Sequence, residues 1–195
     1  MSPAEGAALR TILSRRSVGR VLDEPIPRPV VEELIEAAIR APNHGLTHPW
    51  RFIVLQGDAR RAAGEAHLAA RERLGPPIED ATREKEASRF ERAPVVIVCV
   101  CRSPSDEATV RIEDRDAVAA GVQNLLLAAA DHGLGAIWRT GVMTDEEELR
   151  EHLGLDAEDD LVGFVYVGKP AAQAKGEQTR RPAVAEVTEW RGLSA

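Results

Sequence analysis

Apolar positions along the chain repeat with two different periods. Val30, Val31, Leu34, Ile35, Ala38 and Ile39 recur at helical spacing, which predicts an amphipathic helix with one stripe facing a core. Pro29 suits its first turn and Pro42 stops it, so Arg40, Asn43 and His44 emerge at its C-terminal end. A shorter helix is predicted from about Ala4 to Ser14. Trp50 to Leu55 is an aromatic and β-branched run, and Pro94 to Cys101 is almost unbroken apolar sequence. Both predict strands, the second covered on both faces and therefore central in a sheet. Between them, residues 59–74 and 78–92 read as helical but highly charged, which predicts a peripheral excursion.

Arg111 to His132 consists of good helix formers and turns apolar on every side from Ala117 onward (AVAAGVQNLLLAAA). Such a helix is expected to be buried all round, with Ala119, Ala120 and Gly121 admitting another helix closely. Gly133 and Gly135 end it, and a short strand, Ala136 to Trp138, follows. Thr144-Asp-Glu-Glu147 has the spacing of a capping box for a further helix. Leu161 to Val167 reads as a last core strand. Helices outnumber strands and the strands are irregularly separated, so the expected class is α+β. No repeat or low-complexity linker divides the chain, which predicts a single domain over residues 1–195.

Composition narrows the function. A net charge of −7 and seven aromatic residues, none interleaved with a basic run, argue against a nucleic-acid binder. No apolar run reaches the roughly 20 residues of a membrane span, and the opening MSPAEGAALRTIL lacks a secretory pattern, so a cytoplasmic location is expected. Cys99 and Cys101 suit reduced core thiols. The chain has no G-x-x-x-x-G-K-[ST] loop, no G-x-S-x-G elbow and no H-E-x-x-H pair. Gly133-Leu-Gly135 follows a helix and enters a strand, the reverse of a dinucleotide fingerprint. What remains is a set of polar islands: Arg15-Arg16-Ser17 with Arg20, Arg40 to Arg51, Trp138-Arg139-Thr140-Gly141, and Arg180-Arg181-Pro182. Arginine outnumbers lysine by 22 to 3, and most arginines lie on charged helices where coding bias accounts for them.

These islands, with "SRRSVGRVLDEPIP", "AAIRAPNHGLTHPWRFIVL", "RAPVVIVCV", "AVAAGVQNLLLAAADHGLGAIWRTG" and "LVGFVYVGKP", make the chain resemble the FMN-dependent nitroreductases, in particular their compact bacterial subgroup. The resemblance runs from about Leu9 to Arg181. It implies a nitroreductase-like three-layer α-β-α sandwich with a mixed, mostly antiparallel central sheet and a long buried central helix. It also implies an intertwined homodimer with FMN in clefts at the subunit interface, NAD(P)H as reductant, and a small-molecule electron acceptor such as a nitro compound or quinone in a ping-pong cycle. By that pattern Arg15, Arg16 and Ser17 contact the phosphate and ribityl chain, and Arg40 and His44 approach from the other subunit. Trp138, Arg139 and Thr140 border the flavin ring, and Arg180 or Arg181 clamps the phosphate, the spacing to Pro182 favouring Arg180. No side chain is assigned as catalytic and none as a metal ligand. Physical chemistry agrees, because the guanidinium fork matches phosphate oxygens and clustered arginines make a local positive field on an acidic protein.

The chain departs from the family at Thr47 and His48, where many members carry Asn and Gln. His48 either hydrogen-bonds the flavin or lines the cleft mouth. Trp50, Trp138 and Phe90 are the candidates to sandwich a flat acceptor. An enone reductase or reductive dehalogenase on the same fold, or a flavin carrier without turnover, are the alternative readings.

Overall fold

Four strands, β1 (Trp50–Leu55), β2 (Val95–Cys101), β3 (Gly135–Arg139) and β4 (Asp160–Gly168), form one sheet in the order β1-β2-β4-β3. The computed structural model describes residues 6–172 and 180–192. Every strand pair among them is antiparallel, so the mixed element expected of the sheet has no counterpart in the described residues. β2 is buried at every position, as its apolar run predicts for a central strand. Its residues alternate between two cores. Val95, Ile97 and Cys99 join Leu34, Val118, Val122 and Leu125 on one face. Val96, Val98 and Val100 join Phe90, Leu149, Phe164 and Tyr166 on the other. Each such fully buried side chain stabilises the fold by about 1.5–3 kcal/mol relative to exposure.

Helices cover both faces, giving an α+β sandwich of three layers. On the first face α2 (Arg28–Ala38) packs against the long α5 (Ala108–Asp131). A Cβ at Gly121 would sit 2.8 Å from the Ala38 carbonyl oxygen, so this glycine lets the two helices approach closely. Burial of α5 all round is not observed. Ala119, Ala120, Leu127 and Ala128 are half-buried and Gln123 is exposed, because nothing among the described residues fully covers that side. α1 (Ala7–Ser14) is more open still: it buries no residue, and Leu9, Ile12 and Leu13 stay about half exposed.

The charged middle section is peripheral only in part: residues 71–85 are exposed almost throughout, but the segments on either side are packed into the molecule. α3 (Asp58–Leu74) buries Ala63, Gly64, His67 and Ala70 over the second face of the sheet, and Phe90 is wholly buried. A Cβ at Gly64 would run into the carbonyl of Ala87, so α3 meets α4 (Asp80–Ala87) backbone to backbone. The His67 ring nitrogens face Glu146 at 2.6 Å and Glu86 at 2.9 Å, and Arg89 donates to Glu86 at 2.7 Å. A neutral imidazole donates only once, so this buried knot needs a second proton. Burial alone would raise Glu86, but the bonds from His67 and Arg89 hold its carboxyl below the usual glutamate range. The knot also explains a missed cap. α6 starts at Glu147 (Glu147–His152) and the Thr144 hydroxyl donates to the Gly141 carbonyl, because Glu146 is drawn inward to His67. No helix among the described residues is long and apolar enough to cross a membrane.

Candidate functional site

Arg15, Arg16 and Ser17 lie just beyond the C-terminus of α1, on a segment that runs over the β3–β4 side of the sheet. The Val18 amide donates to the Ala136 carbonyl at 2.9 Å, and the Leu22 amide to that of Lys169 at 2.8 Å. Arg16 folds back to donate to the carbonyls of Leu13 (2.7 Å) and Arg15 (2.9 Å). Ser17 is exposed. Arg15 differs from the surface arginines, since its Nη1 is buried and has no hydrogen-bond partner among the described residues. Burial, then the charges of Arg181 and Arg16, push this guanidinium below the ordinary arginine value. Three cations thus converge with no carboxylate paired to Arg15 among the described residues, an arrangement that an anion would relieve.

Arg139 ends β3 and extends over Gly19, whose Cβ would lie 3.6 Å from its Nη2. Trp138 is anchored rather than free: its indole N–H donates to the Val162 carbonyl at 3.3 Å, and its ring packs against the first core. A bulge makes that possible. Cys99 pairs with Gly163 and Val100 with Leu161, leaving Val162 as the extra residue whose carbonyl receives Trp138. Thr140 is exposed, followed by Gly141 at φ 116°. Both tail arginines are exposed; the charge of Arg181 acts on Arg15, whereas Arg180 is 3.7 Å from Glu186.

The second island forms elsewhere. Arg40 is exposed and paired with Glu36 at 2.6 Å. His44 stands largely in solvent, its Nε2 4.0 Å from Glu113. Both precede β1, one edge of the sheet, while Arg139 belongs to β3, the opposite edge. Three strand spacings of about 4.8 Å put these edges about 14 Å apart. A single chain therefore brings Arg15, Arg16, Arg139 and Arg181 to one neighbourhood and does not bring Arg40 and His44 to it. Phe90 is fully buried between Phe164 and Tyr166, which removes it as a residue that could meet an acceptor. A cleft of about 410 Å3 beside the turn after Gly141 is lined by Arg71, Leu74, Gly75, Val142, Asp145 and Glu146, and by none of the island residues.

Besides the His67 knot and Asp159, the sequence reading missed a buried carboxylate next to the second island. Asp114 is fully buried in α5 and accepts from Ser103, Thr47 and Asn43. The signal was present in the spacing, since Asp114, Val118, Gly121, Val122 and Leu125 share the helix face that is buried.

Comparison with known proteins fits this architecture. The profile described as "Nitroreductase family" matches residues 12–169. The chain belongs to the nitroreductase family. Among curated relatives of this nitroreductase-family protein is YdjA of Escherichia coli K12, named for an inferred NAD(P)H nitroreductase activity, 32% identical over 170 residues covering 86% of this chain and 90% of YdjA. YfhC of Bacillus subtilis, named for the same inferred activity, is 31% identical over 84% of this chain and 85% of its own. A nitroreductase-like family protein from Bacillus cereus superposes with a TM-score of 0.82 at 26% identity, over 99% of this chain and 100% of that one. A Desulfovibrio desulfuricans protein, classed by inference as a nitroreductase and crystallised with FMN, superposes with a TM-score of 0.73 at 29% identity, over 98% and 100% of the two chains.

Proposed function

We propose that this nitroreductase-family protein is an FMN-dependent oxidoreductase that draws electrons from NAD(P)H and delivers them to nitro compounds, quinones or related small acceptors by a ping-pong scheme. The observation that carries the reading is Arg15, half-buried with its Nη1 fully buried and unpartnered, which feels the charges of Arg16 and Arg181 and pairs with no acid among the described residues. A phosphate monoester supplies the missing charge and acceptor oxygens, so the residues present fit the group. Arg15 and Arg181 would hold the phosphate of FMN, with Arg16 and Ser17 beside it and Arg180 at the rim. Each charge-assisted bond stabilises the complex by about 1.5–3 kcal/mol. Trp138, pinned to the sheet, would give one border of the ring pocket, with Arg139 and Thr140 at its edge. When bound, FMN supplies the hydride and electron transfer chemistry that no side chain of this chain can perform. The residues' task is to bind, orient and exclude water.

A homodimer completes the proposal. Arg40 and His44 reach the flavin only if a second copy presents them, since within one chain they belong to the opposite sheet edge. The uncovered apolar residues of α1, together with half-buried Leu127 and Ala128 of α5, are the surface such a copy would bury. The free, buried thiols of Cys99 and Cys101 suit the cytoplasm, where reduced nicotinamide nucleotides are also at hand.

The purified chain is expected to be yellow, or to become so with added FMN, and to bleach rapidly under anaerobic NADH or NADPH. A colourless protein that takes up no FMN overturns the reading. A yellow protein that neither nucleotide bleaches would instead be a carrier. Light scattering is expected to give twice the chain mass, and a monomer that turns over would contradict a shared cleft.

A further inference from the structure

The loop from Asn43 to His48 adopts a backbone that its sequence does not favour. Gly45, Leu46 and His48 have φ of 68°, 52° and 51°, so two residues with side chains are left-handed within three positions of one another. Such a conformation persists only when surrounding contacts over-determine it. Here the contacts trace back to one buried carboxylate. Asp114 has no arginine or lysine within ion-pair distance among the described residues and is satisfied by neutral donors alone. One oxygen accepts from Ser103 Oγ at 2.7 Å. The other accepts from Thr47 Oγ1 and, at 3.4 Å, from Asn43 Nδ2. Asn43 Nδ2 also donates to Thr47 Oγ1 at 3.0 Å, and Asn43 Oδ1 accepts the amide of His48 at 2.8 Å. A directed chain of bonds therefore runs from the His48 amide through Asn43 and Thr47 to Asp114. The His48 ring sits beside Trp50, centroids 6.1 Å apart.

We propose that Asp114 is a positioning residue for the flavin cleft, holding the 43–48 loop through Thr47 and Asn43 so that His44 and His48 are presented in one fixed arrangement to FMN bound across the dimer. The inference rests on the proposed function. It assigns to a helix interior the geometry of a loop that, among the described residues, makes no other buried side-chain hydrogen bond to α5. A charged carboxylate suits the role because it accepts every donor aimed at it and offers none in return.

The test uses the full chain with and without FMN. In the FMN-free protein, hydrogen–deuterium exchange of peptides over residues 43–48 should speed up about tenfold in Asp114→Ala, while peptides over β2 and β4 keep their protection. Kd for FMN, read from fluorescence quenching, should rise about tenfold in Asp114→Ala and about threefold in Thr47→Val. Asp114→Asn is the rescue, since its amide oxygen can accept from Thr47 and Asn43 while its NH2 donates to the Ser103 hydroxyl. It should stay within about threefold of wild type. If Asp114→Ala does not fold, Thr47→Val carries both measurements. Unchanged exchange over 43–48, unchanged FMN affinity despite faster exchange, or Asp114→Asn as impaired as Asp114→Ala each overturns the proposal. A wild-type chain that binds no FMN overturns the functional reading and the cleft role with it. Unchanged exchange with FMN binding intact overturns only the positioning role.

Discussion

Replacing Gly163 by alanine tests how the sheet seats Trp138. Gly163 has φ 147°, a backbone that L side chains rarely adopt, directly after the extra residue of the β4 bulge. A Cβ built there presses on Trp138 Nε1 and lies 2.6 Å from the Arg139 carbonyl oxygen. The carbonyl belongs to the β3–β4 ladder and the indole to the first core, so neither neighbour can step aside without breaking contacts. Holding alanine at this φ costs about 1–3 kcal/mol. Displacing the indole forfeits its bond to Val162, about 1 kcal/mol net. The sum, about 2–4 kcal/mol, is a large share of the 5–15 kcal/mol typical of a domain. With a urea slope of about 2–3 kcal/mol/M, the unfolding midpoint should fall by about 1 M, followed by tryptophan fluorescence at fixed protein concentration. Gly133→Ala is the control, because that glycine also has positive φ (69°) but opens on empty space. It should lose only about 1 kcal/mol. A Gly163→Ala midpoint equal to that of Gly133→Ala would refute the close-approach argument.

Three further outcomes follow from named contacts. Arg15→Met removes a half-buried cation that like charges already disfavour, so the FMN-free chain should melt no lower than wild type while Kd for FMN rises at least about tenfold; a lower melting temperature with unchanged Kd would remove Arg15 from the proposed phosphate site. Asp159, its side chain nearly buried, is held below the usual aspartate value chiefly by its hydrogen bonds from Arg102, against the opposing effect of burial. A carboxyl lowered in the folded state adds stability that is complete above the unfolded value of about 4 and drains away as pH falls through the folded one, so wild type should weaken on acidification and Asp159→Asn should flatten that part of the profile in pH-dependent denaturation. His67→Ala leaves Glu86 and Glu146 buried without their shared partner and should cost about 3–5 kcal/mol in a thermal or urea melt, a loss absent if the three groups do not form one knot.

Much of the fold is legible in the chain because its signals are local. The stripe from Val30 to Ile39 and the unbroken run of β2 declare a helix and a central strand through period alone, and both form where expected. The failures share a different origin. Thr144 has the spacing of a cap, but the distant His67 claims Glu146 and moves the helix start. The middle section reads as surface because charge dominates its composition, yet Gly64 lets α3 meet α4 backbone to backbone, and Ala63 joins Phe90 in the core on the second face of the sheet. Phe90 looks available in sequence and is stacked against Tyr166 in space.

By itself the sequence determined the class of the fold, the order of its elements and the islands of arginine proposed to bind an anion, since period, breakers and residue chemistry are properties of neighbours along the chain. Only the tertiary structure decided which members of those islands meet. It brought the charge of Arg181 to bear on Arg15, left Arg40 beside Glu36 and His44 beside Glu113 on the segment that leads into the edge strand opposite β3, and buried Asp114 beneath the loop that bears the histidines. Strand order, helix packing and a single bulge fix those pairings, and all three depend on contacts between residues far apart in sequence.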